Sequence, residues 1–255
     1  MQLDGEKVKT LLVDFIRQET DAAGFKNLVL GLSGGVDSSL VAFLAAEAVG
    51  PEHVTAVLMP YKTSSPESAA DAEAVVEKTG MRSVTISITE QIDSYFEKVP
   101  DANRLRRANK MARERMSILY DQSAALKALV IGTSNKTEIL LGYGTIHGDM
   151  ACAFNPIGGL YKTQVRQLAA HVGVPERIIR KAPTADLWPG QTDEGELGFT
   201  YADVDRLLLD MVEGGMTDKE LIEKGHDISF IQRVRTLITR SRHKRRPPAV
   251  LTRLD

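Results

Sequence analysis

The sequence predicts an α/β fold: a doubly wound parallel sheet with helices on both faces, followed by a helical C-terminal part. Three observations carry that expectation. Short continuous apolar runs, such as Asn27 to Leu32 (NLVLGL) and Ala128 to Thr133 (ALVIGT), suit strands buried on both faces. Segments with helical periodicity alternate with these runs, which is the pattern of βαβ units. A length of 255 residues, 43% hydrophobic and 26% charged, is ample for a buried core and excludes wholesale disorder.

In chain order, Val8, Leu11, Leu12, Phe15 and Ile16 recur at helical spacing and predict an N-terminal amphipathic helix. The strand Asn27 to Leu32 follows, and Leu40, Val41, Phe43, Leu44 and Ala48 then share one face of a helix. Val54 to Pro60 (VTAVLMP) is a strand, Glu67 to Lys78 a helix, and Ser83 to Ile88 (SVTISI) a strand. Asp101 to Leu126 forms a long helix, and Ala128 to Thr133 the fourth strand. From about residue 142 to Tyr201 the chain is rich in Gly and Pro, with one clear helix at Thr163 to His171; so long an irregular stretch is functional or mobile. Helical periodicity returns over Tyr201 to Thr239. A single domain is expected, with 1–26 an N-terminal helix, 27–200 the core, and 201–255 C-terminal helices with a basic tail. Doubly wound sheets bind ligands beyond the carboxyl ends of their strands, where the strand order reverses, so the loops after Leu32, Met59 and Ile131 are the places to look.

Composition narrows the function. Thirty-two basic against thirty-four acidic residues give a net charge of −2, so no global field draws the chain to nucleic acid or membrane. Cys152 is the one cysteine, which excludes an internal disulfide and Cys-rich zinc sites; it reads as a small packing residue. No apolar run approaches the ~20 residues of a membrane span. The start MQLDGEKVKT lacks a secretory pattern, so a cytoplasmic protein is expected. The five histidines show no metal-ligand spacing, and no H-E-x-x-H or G-x-S-x-G motif occurs.

The loop after the first strand is Leu32-Ser33-Gly34-Gly35-Val36-Asp37-Ser38-Ser39. Its small residues leave backbone amides uncovered at a helix N-terminus, a nest suited to phosphate oxygens. Asp37 has the wrong charge to touch phosphate directly, and makes sense with a divalent cation between them. The Walker lysine is absent, so the loop suits a departing pyrophosphate held as one unit by neutral donors. A plain Gly-rich turn into a helix is the competing reading. The motif SGGVDSS resembles the phosphate loop of the N-type ATP pyrophosphatases, which share an adenine nucleotide alpha hydrolase-like fold and cleave ATP between its α and β phosphates.

The fourth strand runs into Gly132-Thr133-Ser134-Asn135-Lys136-Thr137-Glu138. Placed beside the first strand, it would bring Glu138 toward Asp37 as a shared Mg²⁺ site; taken alone, Glu138 also reads as an acid complementing a helix dipole. The glycines of GYGTIHGD miss the dinucleotide fingerprint and follow a helix. The combination GTSNKTE, GYGTIHGD, NPIGGLYKTQVR, PTADLWPGQTDEGELG and HKRRPP, spread from about Asn27 to Pro248, closely resembles the ammonia-dependent NAD synthetases. That resemblance implies amidation of nicotinate adenine dinucleotide (deamido-NAD) by ammonia with ATP, giving NAD, AMP and pyrophosphate. It implies ATP binding by Gly31, Leu32, Ser33, Gly34, Gly35, Val36, Asp37, Ser38, Thr133, Lys162 and Thr184, with Mg²⁺ on Asp37 and Glu138. It assigns the dinucleotide to Arg113, Asp149, His243 and Lys244, with Asp149 close to the nicotinate ring, where an acid is expected to bind ammonium or accept its proton. Glu196 also matches a family position, without an assigned step. Ile146 stands where other ammonia-dependent members carry a lysine, so that contact is not implied here.

By residue type alone, Lys162 reads rather as a surface lysine at a helix start, and Arg113 as a solvated or ion-paired helix arginine. Position 2 is Gln and the first strand starts near residue 27, so no amidase domain with an N-terminal cysteine nucleophile is expected, and free ammonia is the nitrogen source unless a separate subunit delivers it. The cations Arg233, Arg235, Arg240, Arg242, Lys244, Arg245 and Arg246 read either as a nucleic-acid patch or as a solvated helix face ending at an anionic dinucleotide; charge balance and few aromatics favour the second. A non-catalytic nucleotide sensor would need neither Asp37 nor Glu138. The resemblance implies a homodimer with the dinucleotide bound across the subunit boundary; the helical stretch 101–126 is the candidate for that contact, and segments 61–67 and 185–195 are expected to act as lids.

Overall fold

The computed structural model describes residues 2–184, 186, 188 and 190–251. Its frame is a four-stranded parallel sheet in the order β3-β2-β1-β4, built from β1 (Asn27–Gly31), β2 (Val54–Leu58), β3 (Arg82–Thr85) and β4 (Ala128–Val130). Leu28 pairs with Val54 on one side of β1 and with Leu129 on the other. The first three strands step outward in one direction and the chain then returns to lay β4 against the opposite edge of β1. This reversal opens a crevice between the carboxyl ends of β1 and β4.

Residues of a strand alternate between its faces, and both faces are apolar here. Leu28 and Leu30, with Val54 and Ala56, face one core together with α1 (Gly5–Ala22), α2 (Val36–Val49) and α3 (Pro66–Thr79). Val29, Val57, Ala128 and Val130 face the other, against α4 (Thr89–Glu97) and α5 (Arg104–Leu126). Helix α2 is buried almost all round, Leu40, Val41, Ala42, Leu44 and Ala45 being inaccessible. It is therefore held by packing rather than by a single apolar stripe, and its N-terminus has a fixed aim.

Beyond β4 come α6 (Lys136–Leu141), α7 (Lys162–Val172), α8 (Glu176–Arg180), α9 (Asp193–Leu197), α10 (Tyr201–Leu208), α11 (Asp218–Glu223) and α12 (Ile228–Arg240). Leu141, Tyr161, Val204, Leu207, Leu208, Leu221, Ile231 and Val234 make a third core that joins the C-terminal helices to α6. α7 packs on α1 and α2, completing the first core.

Several sequence expectations need correction. The strand expected over 83–88 ends at Thr85, and α4, unassigned from the sequence, follows it with Ile92 and Phe96 as its buried anchors. The long helix begins at Arg104, not Asp101, because the Asn103 side chain accepts the Arg106 N–H as an N-cap. The Gly/Pro-rich stretch holds α8 and α9 besides α7. The C-terminal periodicity is broken into three helices, with a π-helical turn at Leu209–Glu213.

Candidate active site

The loop Leu32–Gly35 carries the chain from β1 into α2. Leu32 extends the strand pairing by donating its N–H to the Val57 carbonyl at 3.1 Å. Gly34 sits at φ +77°, and a Cβ there would lie 2.2 Å from the Ser68 carbonyl oxygen on α3, so this position requires glycine. Gly35 is the N-cap of α2 and offers no side chain to its first amides. Those N–H groups are left facing the crevice, where the helix dipole favours an anion. Ser33 Oγ and Ser38 Oγ lie 3.1 Å apart beside them, adding hydroxyl donors.

Asp37, on the first turn of α2, reaches across the crevice. It accepts the Asn135 Nδ2 hydrogen bond at 2.8 Å and pairs with the Lys162 ammonium. Glu138 approaches the same ammonium from α6, Oε1 to Nζ 3.2 Å. Asn135 and Glu138 also form a capping box: Asn135 accepts the Glu138 N–H at 3.0 Å, and Glu138 Oε2 accepts the Asn135 N–H at 3.3 Å. The two readings of Glu138 thus coexist, one carboxylate oxygen serving the helix and the other the site.

Lys162 is 3% exposed and is no surface residue. Burial opposes its charge, but Asp37 and Glu138 outweigh that and raise its pKa above the ordinary lysine value. The Glu138 carboxyl is pushed up to about 8, first by burial and then by the charges of Asp37 and Asp193, with Lys162 opposing. Asp193, 4% exposed, accepts hydrogen bonds from Tyr143 and Tyr201, each at 3.1 Å. The Tyr201 ring lies 5.1 Å from Lys162 Nζ. Three carboxyl groups therefore face one ammonium in a partly dry crevice, and burial together with their crowding is what pushes Glu138 and Asp193 up. Two of them, Asp37 and Glu138, are hard oxygen ligands at one point, as Mg²⁺ prefers when phosphate oxygens and water complete its shell. Among the described residues no three His, Cys, Asp or Glu side chains form a ready-made cage. The donor set fits a cation shared with substrate.

The second group gathers on the loop between α6 and Asp149. Lys244 Nζ donates to the Gly142 and Gly144 carbonyls at 2.8 and 2.7 Å. Arg113, from α5, donates to the Ile146 carbonyl at 3.3 Å. Asp149 accepts the Thr145 N–H at 2.7 Å; it is solvent-exposed yet ringed by protein that pushes its carboxyl up. Burial lowers the Lys244 pKa, with the Asp149 charge opposing and the Arg113 charge adding to the shift, so all three side chains share one neighbourhood. His243 is turned away, its Nδ1 lying 3.1 Å from the Arg240 carbonyl of its own helix end. Thr133 follows β4 at the mouth of the crevice, whereas the Thr184 hydroxyl accepts the Asp186 N–H at 3.0 Å in a local turn.

Asn135, Asp193, Tyr143, Tyr201 and Arg115 were not singled out from the sequence. The spacing Asn135-x-x-Glu138 is a readable capping box; the others come together only in the fold. Arg115 holds the Met59 carbonyl at 3.0 Å at the end of β2, where the charges of Asp186 and Asp149 oppose its desolvation. Much of the C-terminal basic stretch is internally engaged. Arg233 donates to the Leu197 carbonyl, Arg235 pairs with Asp218, and Arg245 holds the carbonyls of Ile139, Leu140 and Ile238.

A reversed strand order, an uncapped helix start at its switch point and two converging acids belong to an α/β fold of the adenine nucleotide alpha hydrolase-like kind. A family model described as NAD synthase matches residues 8–248, and the chain belongs to that family. It is 53% identical over 250 residues to the NH(3)-dependent NAD(+) synthetase of Trichlorobacter lovleyi, covering 98% of this chain and 92% of that one. Among solved structures it resembles the NMN synthetase of Francisella tularensis, with a TM-score of 0.87 and 30% identity, covering 98% of this chain and all of that one (100%). It also resembles the NH3-dependent NAD synthetase of Campylobacter jejuni, with a TM-score of 0.84 and 35% identity over the same shares, 98% and 100%.

Proposed function

We infer that this chain is a carbon–nitrogen ligase that amidates nicotinate adenine dinucleotide with ammonia, converting ATP to AMP and pyrophosphate through an acyl-adenylate. The observation that carries this reading is the meeting of Asp37 and Glu138, from two strand ends, at Lys162 beside the uncapped start of α2. The family match supplies the substrate class.

A carboxylate resists attack by an amine, so it must first gain a leaving group. The dinucleotide carboxylate attacks the α-phosphorus, the bond to the bridging oxygen breaks, and pyrophosphate departs with that electron pair. The α2 amides and the serine hydroxyls hold the departing oxygens as preorganised donors, and Lys162 adds a full positive charge where negative charge develops. Ammonia then attacks the acyl carbon and AMP leaves. In this reading Asp149 holds ammonium or accepts its proton, and Arg113 and Lys244, whose charges it shares a neighbourhood with, bind the dinucleotide. Mg²⁺, held by Asp37 and Glu138, would supply charge neutralisation of the phosphate oxygens.

The exposed apolar side chains Leu105 and Tyr120 on α5 support a homodimer through that helix. No helix of the described residues is long and apolar enough to cross a membrane; a cytoplasmic location fits ATP and a dinucleotide as substrates. The Francisella likeness favours a second reading, in which the mononucleotide is amidated by the same chemistry. Steady-state assays with ATP, Mg²⁺ and ammonium separate the two. A preference in kcat/KM of about a hundredfold or more for the dinucleotide is expected. Equal or reversed preference assigns the mononucleotide, and no amidation of either removes the reading.

A further inference from the structure

Asp205, on α10, is 0% exposed, so that burial pushes its carboxyl up, and it has no part in the chemistry above. Such a group is costly unless its oxygens are satisfied. Asp205 Oδ1 accepts the Thr137 hydroxyl at 2.5 Å, and Oδ2 accepts the Thr163 backbone N–H at 2.7 Å. Thr137 precedes Glu138 on α6, and Thr163 follows Lys162 on α7. A third bond closes the link, the Lys162 backbone N–H donating to Thr137 Oγ1 at 3.0 Å. The carboxylate therefore lies against the N-terminal turns of two helices at once, where their dipoles favour it, and caps α7 from another helix. Tyr201, one turn before Asp205 on the same face of α10, sets its ring against the Lys162 head. One helix thus braces both the backbone and the ammonium of Lys162.

We propose that Asp205 is a positioning residue: through Thr137 and Thr163 it fixes the α6 and α7 N-termini against each other, and so sets the approach of Lys162 to Glu138 and to the nucleotide phosphates. This rests on the reading given above for Lys162 and Glu138. A carboxylate accepts both donors at once, whereas leucine, close to it in size, accepts neither; an amide would keep both links by turning its NH2 onto the Thr137 hydroxyl, which can accept as well as donate.

The test compares wild type with D205L, T137V and T137S. D205L should lower kcat about a hundredfold, the effect of a small misplacement of reacting groups, while KM for the dinucleotide stays within about twofold. T137V should behave like D205L, and T137S, which keeps the hydroxyl, should recover most of the rate; this pair decides the matter if D205L does not fold. A D205L or T137V enzyme that melts cooperatively and keeps kcat within about threefold of wild type overturns the proposal, whatever its melting temperature. Amide hydrogen exchange separates this result from failure of the parent reading. Should the wild type make no NAD, the Lys162 and Thr163 amides must still exchange at least about tenfold faster in the variant, with Leu168 unchanged. Unchanged exchange at both amides overturns it.

Discussion

Lys162 shows how a single residue acquires its role from where the fold delivers it. Its sequence neighbours describe an ordinary first helical turn, yet the ammonium is enclosed by Asp37 and Glu138 from two different strand ends. Replacing it by methionine leaves those carboxylates buried against each other without their cation. Lys162→Met should cost about 3 kcal/mol of stability in urea unfolding and about 10²–10³ in kcat; wild-type stability and rate would contradict both. At Asp149 the expected effect is different in kind. Asp149→Asn should slow the reaction most at low ammonium and least at saturation, measured as the ammonium dependence of the initial rate, and an unchanged dependence would exclude its ammonia role. The residue-level site was half legible. Asp37 and Glu138 stand in short recognisable motifs, but the enclosure of Lys162 and the presence of Asp193 depend on contacts between segments far apart in the chain.

Elements decide whether the loop proposed to hold phosphate keeps its shape. α3 packs its start against the loop so closely that Gly34 has no room for a side chain. Gly34→Ala should destabilise the fold by about 1–3 kcal/mol through backbone strain and weaken ATP binding at least about tenfold by calorimetry, while a fully functional alanine variant would mean the loop does not hold this conformation. The two segments expected to be lids meet each other: the Ser65 N–H donates to Asp186 at 2.9 Å, and Trp188 lies 5.2 Å from the Arg104 guanidinium on α5. Ala185, Leu187 and Pro189 of the second segment are outside the described residues. Farther away, the π-helical turn after α10 carries Asp210, which is bound by His226 at 2.9 Å and by Lys224. Burial pushes the Asp210 carboxyl up, but those two hydrogen bonds outweigh it and hold the group below its ordinary value. The sign follows: this stabilisation is present above the unfolded carboxyl pKa, near 3.8, and is lost as pH falls through the lower folded value. Melting of wild type should therefore drop more steeply below about pH 4 than melting of Asp210→Asn; parallel profiles would contradict it. The π-turn itself could not be read from the sequence, because its residues keep an ordinary helical pattern.

For the whole molecule, the strand order matters most. Short strand-like runs and the helices between them were enough to anticipate a parallel sheet with β4 beside β1; the central run of β1, buried on both faces, leaves an unbroken hydrophobic signature, whereas the edge strand β3 is mostly exposed. The third core was not legible. Leu141, Tyr161, Val204 and Ile231 belong to separate short helices whose periodicity says nothing about which of them pack together. That core ties the C-terminal helices to α6, and through Lys244 and Arg245 it anchors the loop that gathers Arg113 and Asp149. At this scale the proposed homodimer is directly measurable: sedimentation should show a species of twice 28.0 kDa that dissociates when Leu105 and Tyr120 are both changed to glutamate, and a wild-type monomer at micromolar concentration would contradict it.

The most direct measurement follows one oxygen. When the dinucleotide carries heavy oxygen in its carboxylate and turns over with ATP and ammonium, the label should appear in the phosphate of AMP, with pyrophosphate released unlabelled. Labelled orthophosphate accompanied by ADP would show attack at the terminal phosphate instead, and would contradict the assignment of the α2 nest, Asp37, Glu138 and Lys162 to a departing pyrophosphate.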